Sequence, residues 1–439
     1  MKEKIALASL GCAKNQVDSE VMLGLLQEAG FQLTGNPAEA QLLIVNTCGF
    51  ITAAKEESIA QILEFAALKE EGQARALVVT GCLSQRYRKE LAGELPEVDC
   101  FLGVNEVPQI VEVAKDLLAG REARCKPGNP YLYTGRESRL LTTPKGTAYI
   151  KLAEGCDNRC TYCVIPEIRG PYRSRPLEEV VREAEQLAAS GVRELILVAQ
   201  DTSFYGTDLY GKSELPTLLR RLSGIEELVW LRPLYFYPTR VTPELLEVLA
   251  TEPKVCKYID LPLQHASAKL LSLMGRGGSR ESLLRKLAEI RAAVPEVIIR
   301  STFIVGFPGE EAADFQELLA FVEEAEMDRV GVFTYSREEN TPAATFTGQV
   351  PEKLAAERAE ELMDAQRSIS RAKNQRRVGT RALVFSEGPA EEGGSIARSQ
   401  AEAPEVDGVI FLKEKLPAGQ FATARITEAL DYDLKAELT

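Results

Sequence analysis

Ala148-Tyr-Ile-Lys-Leu-Ala-Glu-Gly-Cys-Asp-Asn-Arg-Cys-Thr-Tyr-Cys163 joins a strand-like apolar run to three cysteines spaced C-x3-C-x2-C. Three thiols this close cannot all pair off as disulfides, and a closed structural zinc site wants a fourth protein ligand that no neighbouring His or Cys supplies. A four-iron cubane held by Cys156, Cys160 and Cys163 keeps one iron open to an outside ligand, which turns a passive carrier into a catalytic centre. Cys160-Thr-Tyr-Cys163 alone fits a thioredoxin-like redox pair, a reading weakened by Cys156 and by the lack of a preceding thioredoxin pattern. The apolar run is the first of six, at 148–153, 194–199, 228–236, 258–263, 297–305 and 329–335, with helix-like stretches between them. Six such βα units point to parallel strands whose C-terminal ends share one face, where the cysteine loop lies.

Nearer the N-terminus the pattern recurs on a larger scale. Lys4-Ile-Ala-Leu-Ala-Ser-Leu-Gly-Cys12, Leu42-Leu-Ile-Val-Asn-Thr-Cys48 and Ala76-Leu-Val-Val-Thr-Gly-Cys82 are short apolar runs ending in a cysteine, 36 and then 34 residues apart. That separation is about one βα repeat. Parallel strands joined by right-handed crossovers point the same way, so Cys12, Cys48 and Cys82 are expected at one sheet edge as a second three-thiolate site. A single buried apolar cysteine is commonplace; three in register are not. Cys100, Cys125 and Cys256 have no such spacing and read as ordinary cysteines. Nine cysteines, an odd number in a large chain, argue against a disulfide framework.

The chain of 439 residues is too long for one ordinary core, and 45% hydrophobic with 27% charged residues is a globular profile, not a disordered one. Its 52 Lys and Arg against 65 Asp and Glu give a net charge of −13. Repulsion from phosphates disfavours a nucleic-acid-binding surface over the whole molecule, and a basic protein partner suits it better. With no signal-like N-terminus and no apolar run of about 18 residues, the expectation is a cytoplasmic protein without a membrane partner. The expected division is a flavodoxin-like α/β unit at 1–120, a turn-rich linker reaching about 146, a parallel α/β core at 142–372, and a small β-barrel of short alternating runs at 374–439.

The signature C-x3-C-x-aromatic-C, with Tyr162 as the aromatic, resembles the radical S-adenosylmethionine superfamily. Ala8-Ser-Leu-Gly-Cys-Ala-Lys-Asn-Gln-Val-Asp-Ser-Glu20 and Asn46-Thr-Cys-Gly-Phe-Ile51 narrow the resemblance to the methylthiotransferases. Ser9-Leu-Gly-Cys-Ala-Lys-Asn15, Val164-Ile-Pro-Glu-Ile-Arg-Gly170 and Leu261-Pro-Leu-Gln-His-Ala-Ser267 are similar to the members that act on ribosomal protein S12. Members that modify tRNA typically carry Met where Lys14 stands. The resemblance spans essentially the whole chain and implies a partial (βα)6 TIM-like barrel followed by a TRAM β-barrel. It implies two 4Fe-4S clusters, S-adenosylmethionine and an electron donor. In such enzymes the cluster on Cys156, Cys160 and Cys163 cleaves S-adenosylmethionine to a 5′-deoxyadenosyl radical, and the cluster on Cys12, Cys48 and Cys82 carries the sulfur. The substrate implied is the β-carbon of an aspartate in S12, free or within the small subunit. Residues 374–439 hold 8 Lys and Arg against 11 Asp and Glu, a balance that suits a basic protein better than tRNA and leaves direct nucleic-acid binding open.

Other residues take their expected roles from that resemblance, each with an ordinary structural alternative. Tyr162, Gln200 or Asp201, Arg300 and Gly306 are expected around S-adenosylmethionine: Gln200 or Asp201 at its amino group, Arg300 at its carboxylate, and Gly306 with Gly309 where the backbone approaches the adenine. Asp201 equally suits a helix entry, Arg300 an ion pair, and the two glycines a turn. His265, the single histidine, is as well placed to bond at a strand end as to face the site, and without a second histidine hydrolytic chemistry has little to work with. Arg159, Arg169, Arg173 and Arg175 form a basic segment that suits either an acidic substrate loop or plain solvation. Gly206-Thr-Asp-Leu-Tyr-Gly-Lys-Ser213 satisfies the P-loop pattern, but it begins too far from the preceding strand end. Asn340 and Leu234 depart from the family pattern, which usually has Gly and His there. Two competing readings remain at this stage: a tRNA methylthiotransferase and a non-enzymatic iron–sulfur electron carrier.

Overall fold

The computed structural model describes residues 3–439. The N-terminal unit is a sheet of β1 (Lys4–Ser9), β2 (Gln32–Leu33), β3 (Leu42–Thr47), β4 (Ala76–Gly81) and β5 (Cys100–Phe101), ordered β2-β1-β3-β4-β5 with every pair parallel. This is the flavodoxin-like order. Every residue of β3 and β4 is buried, as runs such as Leu42-Leu-Ile-Val require when helices cover both faces. Of the four helices, α1 (Ala13–Glu28), α2 (Thr52–Glu70), α3 (Cys82–Glu94) and α4 (Ile110–Leu118), α2 and α3 pack Ile62, Phe65 and Leu83 on one face. On the other face α1 and α4 pack Val21, Met22 and Ile110.

Helix α1 also buries Lys14, Asn15, Asp18, Ser19 and Glu20. A surface helix leaves such residues in water. Here the far side of α1 meets the second unit, whose first strand is β6 (Thr147–Lys151). The short strands β7 (Ala153–Glu154) and β8 (Arg173–Ser174) then pair antiparallel across the cysteine loop, which carries the five-residue helix α5 (Ile165–Arg169). β9 (Glu194–Val198), β10 (Trp230–Pro233), β11 (Tyr258–Asp260), β12 (Ile298–Val305) and β13 (Arg329–Thr334) complete six parallel strands. They form two three-stranded sheets, β6-β9-β10 and β11-β12-β13, joined by the parallel bridge Leu231–Val255. Among the described residues β6 and β13 do not pair, so the barrel is open on that side. Burial alternates along β12: Ile299, Phe303 and Val305 join the core beneath the helices, while Arg300 and Thr302 face the lumen.

After the helix Glu352–Arg377, strands β14 (Arg381–Pro389), β15 (Ser395–Arg398), β16 (Ile410–Leu412), β17 (Phe421–Ala429) and β18 (Leu434–Leu438) close into a barrel. It sits under the N-terminal ends of the β9 and β10 strands. Buried Glu194 accepts from Arg398 at 2.7 Å and from Arg232 at 2.9 Å, and the Trp230 ring stands 4.8 Å from Phe421. No helix among the described residues is long and apolar enough to cross a membrane.

The structure corrects one expectation about the cysteines. Cys100 and Cys125 are disulfide-bonded, with Cα atoms 6.0 Å apart. The turn-rich segment after α4 brings Cys125 back to β5, a proximity that a separation of 25 residues does not advertise.

Candidate active site

The radical-type cysteines lie just beyond β6. Gly155 has φ +78°, and a Cβ there would stand 2.1 Å from the Pro171 carbonyl oxygen, so only glycine lets the loop pass. The Cys156 amide donates to the Gly170 carbonyl at 3.1 Å and the Cys163 amide to that of Cys160 at 3.1 Å. Thr161 ties the loop to distant chain: its amide donates to Met274 at 3.0 Å and its carbonyl accepts from Ala343 at 2.9 Å. Tyr162 meets Phe307 edge-on at 6.4 Å. Burial pushes the Cys163 thiol up to about 12, and charge on Cys160 and Cys156 adds to the effect, because the three sulfurs are neighbours. Arg276 lies beside them, its Nη1 3.7 Å from Cys160 Sγ and its guanidinium stacked 4.3 Å over Tyr237.

The second trio gathers at the C-terminal edge of the first sheet. Cys12 precedes α1, Cys48 follows β3 and Cys82 opens α3. Gly11, at φ +90°, passes so close to Cys48 that a Cβ would lie 3.1 Å from its sulfur. Burial and the charge of Cys82 push the Cys48 thiol up to about 12, and burial also raises Cys82. For the exposed Cys12, surrounding protein opposes ionisation but Lys14 and Arg169 outweigh it, and the thiol is held below its ordinary value. Among the described residues no three His, Cys, Asp or Glu side chains converge tightly enough to hold one metal ion. A cubane carries its thiolates on separate irons and needs no such convergence.

Arg169 joins the two trios. It ends α5, six residues after Cys163, is 1% exposed, and donates to Glu154 at 2.7 Å, Asp18 at 3.2 Å and Cys82 Sγ at 3.4 Å. Lys151 completes the network through Asp18 and, at 2.8 Å, Glu154. Burial opposes ionisation of Glu154, but Arg169 and Lys151 hold its carboxyl down at about 2. Arg169 and Arg175 therefore do not belong to an open basic face. Arg175 is fully buried against Glu183 at 2.5 Å. Desolvating a guanidinium costs several kcal/mol unless a carboxylate meets it, and each has found one; Arg159 alone of the four is exposed.

The remaining candidates divide. Gln200 stands past β9 with its Nε2 buried and without a partner, whereas Asp201 is engaged by Asn158 at 3.0 Å, Ser203 at 2.6 Å and Arg240. Arg300 is committed to Asp260 at 2.8 Å, with Asp407 at 3.7 Å, so its charge is already matched within the lumen. The space a Gly306 Cβ would fill is occupied by Ala355, 2.4 Å away; this glycine admits the helix Glu352–Arg377. At Gly309 the nearest atom is Leu273 Cδ1 at 3.4 Å. His265 lies in the interior beside Asp314 and Arg358, held neutral by burial that lowers it to about 4. The P-loop-like segment forms a four-residue helix, Thr207–Tyr210, with Lys212 in solvent beside Glu214, which is no phosphate cradle. Asn340 takes φ +64° where a glycine would be unstrained, and Leu234 is buried. Sequence reasoning missed Arg276, whose signal was an arginine set among Gly275, Gly277 and Gly278 past the fourth barrel strand. A cavity of about 530 Å³ opens along β13, lined by Arg300, Phe333, Val406, Asp407 and Tyr432 among others.

The donor sets fit iron–sulfur clusters: thiols, without carboxylate or imidazole among them, suit a soft metal centre. The unpartnered Gln200 amide at a strand end fits a polar ligand beside the first trio. Fold and site together define a radical S-adenosylmethionine protein that carries a second cysteine trio on a flavodoxin-like domain. Residues 150–322 match the Radical SAM superfamily, residues 378–439 the TRAM domain and residues 4–103 the uncharacterized protein family UPF0004. The chain belongs to the RimO family of ribosomal protein uS12 methylthiotransferases. It is 50% identical over 438 residues to the ribosomal protein uS12 methylthiotransferase RimO of Pelotomaculum thermopropionicum, covering 99% of each chain. It is 50% identical over 437 residues to that of Moorella thermoacetica, again covering 99% of each. Among solved structures, the radical S-adenosylmethionine methyltransferase TsrM of Kitasatospora setae shares the fold, with TM-score 0.57 and 15% identity over 84% of this chain and 89% of that one. Radical SAM membership implies a 4Fe-4S cluster and S-adenosylmethionine.

Proposed function

We propose that this protein adds a methylthio group to the β-carbon of an aspartate in ribosomal protein S12, using one 4Fe-4S cluster on Cys156, Cys160 and Cys163 and a second on Cys12, Cys48 and Cys82. When bound, the reduced cluster and S-adenosylmethionine supply the radical chemistry that opens an unactivated C–H bond, a step acid–base groups do not achieve. The chain's own residues position and seal. Tyr162, Phe307 and Phe346 form an apolar wall by the first trio that keeps water from the reacting space. Gln200 Nε2 offers a hydrogen bond to the cofactor, and Arg276 rather than Arg300 is the cation free for its carboxylate. Arg169 fixes the two trios relative to each other.

The observation that carries the reading is the buried Arg169 link: one guanidinium joins the loop of the first trio to a thiol of the second. An electron carrier has no use for two such trios tied together at the mouth of an open barrel. The substrate follows from family membership and from the net charge of −13, which attracts a basic ribosomal protein. An external electron donor, cytoplasmic residence and division of the chain at 1–120, 142–372 and 374–439 belong to the same proposal. Mass spectrometry of S12 and of tRNA nucleosides from cells lacking the protein tests it. Loss of the methylthio mass from S12 with unchanged tRNA is expected; intact S12 modification, or loss of a methylthio nucleoside instead, refutes it.

A further inference from the structure

Lys14 has no role in the scheme above. It occupies the first turn of α1, two residues past Cys12, and is 6% exposed. Its ammonium lies 3.8 Å from the centroid of the Tyr235 ring. A buried ammonium is costly unless a carboxylate meets it, and other cations of this interior comply, Arg276 excepted. Lys151 and Arg169 share Asp18 and Glu154, Arg139 takes Glu20, Arg240 takes Asp201 and Arg300 takes Asp260. Among the described residues no carboxylate pairs with Lys14. Asp260, whose field reaches it, is already held by Arg300 at 2.8 Å and by the Tyr235 amide at 3.1 Å. A ring face returns only part of what a carboxylate would.

The groups beside this charge reach the surface. Cys12 is exposed and Tyr235 is partly open. Tyr235 holds φ +63°, a conformation that costs a non-glycine residue energy and persists where the fold imposes it. Its ring lies under the ammonium. An unpartnered cation is thus held beside the trio proposed to carry sulfur.

We infer that Lys14 is a carboxylate-binding residue that takes the side-chain carboxylate of the aspartate to be modified and so holds the adjacent carbon beside Cys12. The inference rests on the proposed function and deepens it. A group destined for the carbon next to a carboxylate needs that carboxylate anchored, because small misplacements of the reacting carbon are expensive in rate. A buried ammonium anchors a carboxylate through a charge-assisted bond and gives much less to a neutral amide.

Fluorescence anisotropy on the anaerobically purified holoprotein, with labelled S12 peptides carrying Asp or Asn at the modified position and no S-adenosylmethionine, tests this. The wild type is expected to bind the Asp peptide at least about tenfold more tightly than the Asn peptide. Lys14→Met is expected to bring the two within about twofold, and Lys14→Arg to keep most of the preference. Iron content and electron paramagnetic resonance establish that each variant is folded and loaded; if Lys14→Met fails to load, Lys14→Gln takes its place. A Lys14→Met or Lys14→Gln variant that keeps the wild-type Asp-to-Asn ratio overturns the inference. So does a shift in the N-terminal cluster's potential with that ratio unchanged, which assigns Lys14 to the cluster's charge. A wild type that modifies S12 without distinguishing the peptides refutes the role of Lys14 alone; one that neither binds nor modifies S12 removes the substrate assignment and the inference with it.

Discussion

Replacing Glu402 with glutamine is expected to cost about 3 kcal/mol at neutral pH. This carboxylate is 1% exposed and accepts from Arg377, from Arg329 at 3.4 Å, and from the Ser399 amide and hydroxyl at 2.9 and 2.6 Å. Burial opposes its charge, yet Arg377 and Arg329 hold the carboxyl down from 4.5 to about 2. Each unit of displacement is worth about 1.4 kcal/mol, which gives the figure of about 3. The sign follows from the depressed value: the stabilisation is complete above about pH 4.5, where the unfolded carboxyl is ionised, and is lost as pH falls through the folded value near 2. Glutamine leaves the buried Arg329 and the half-buried Arg377 to share an amide oxygen, so the variant's deficit is largest at neutral pH and shrinks in acid. Trp230, the single tryptophan, reports the event directly, because it packs between Phe385 and Phe421 where the C-terminal barrel docks. Urea unfolding followed by its fluorescence at about pH 7 and about pH 3 measures both quantities. A deficit under about 1 kcal/mol at neutral pH, or one that does not change with pH, would show that the ion pairs around Glu402 do not hold the two units together.

Three other outcomes are expected. Replacing Cys156, Cys160 and Cys163 together with alanine lowers anaerobic iron from about eight to about four per chain; equal iron in variant and wild type rules out a cluster on this trio. Gly155→Ala drives a Cβ into the Pro171 carbonyl at a φ that alanine resists, so iron falls by one cluster while the N-terminal trio still loads, and normal loading would contradict the loop geometry. His265 is held neutral by burial at about 4, so its unfolded form takes up a proton first and stability falls as pH drops from about 6.5 toward about 4. Thermal melts of His265→Asn over that range lack this slope; an unchanged slope refutes the assignment.

Much of the architecture was legible because strand runs and chain spacing are local signals. The all-buried strands Leu42–Thr47 and Ala76–Gly81 announce covered parallel strands, and three cysteines at the ends of such runs meet because crossovers force it. What stayed hidden was the identity of distant partners. Arg169 and Arg175 read as a basic segment because nothing near them in sequence betrays Asp18, 151 residues away, or the fold that buries both. Arg300 looked free because Asp260 and Asp407 come from other elements. That Gly306 also makes room for Ala355 was hidden, because Ala355 lies on a helix that begins 46 residues later. The Cys100–Cys125 bond was invisible for the same reason.

Helix α1 is clamped on both sides, with its apolar residues on the sheet, Asp18 bound to Tyr133, Lys151 and Arg169, and Glu20 bound to Arg139 and Thr142. Cys12 rides at the start of that clamped rod. Under the proposed function, a cluster seated there has no swinging arm, and any sulfur it hands on must be delivered to a fixed berth.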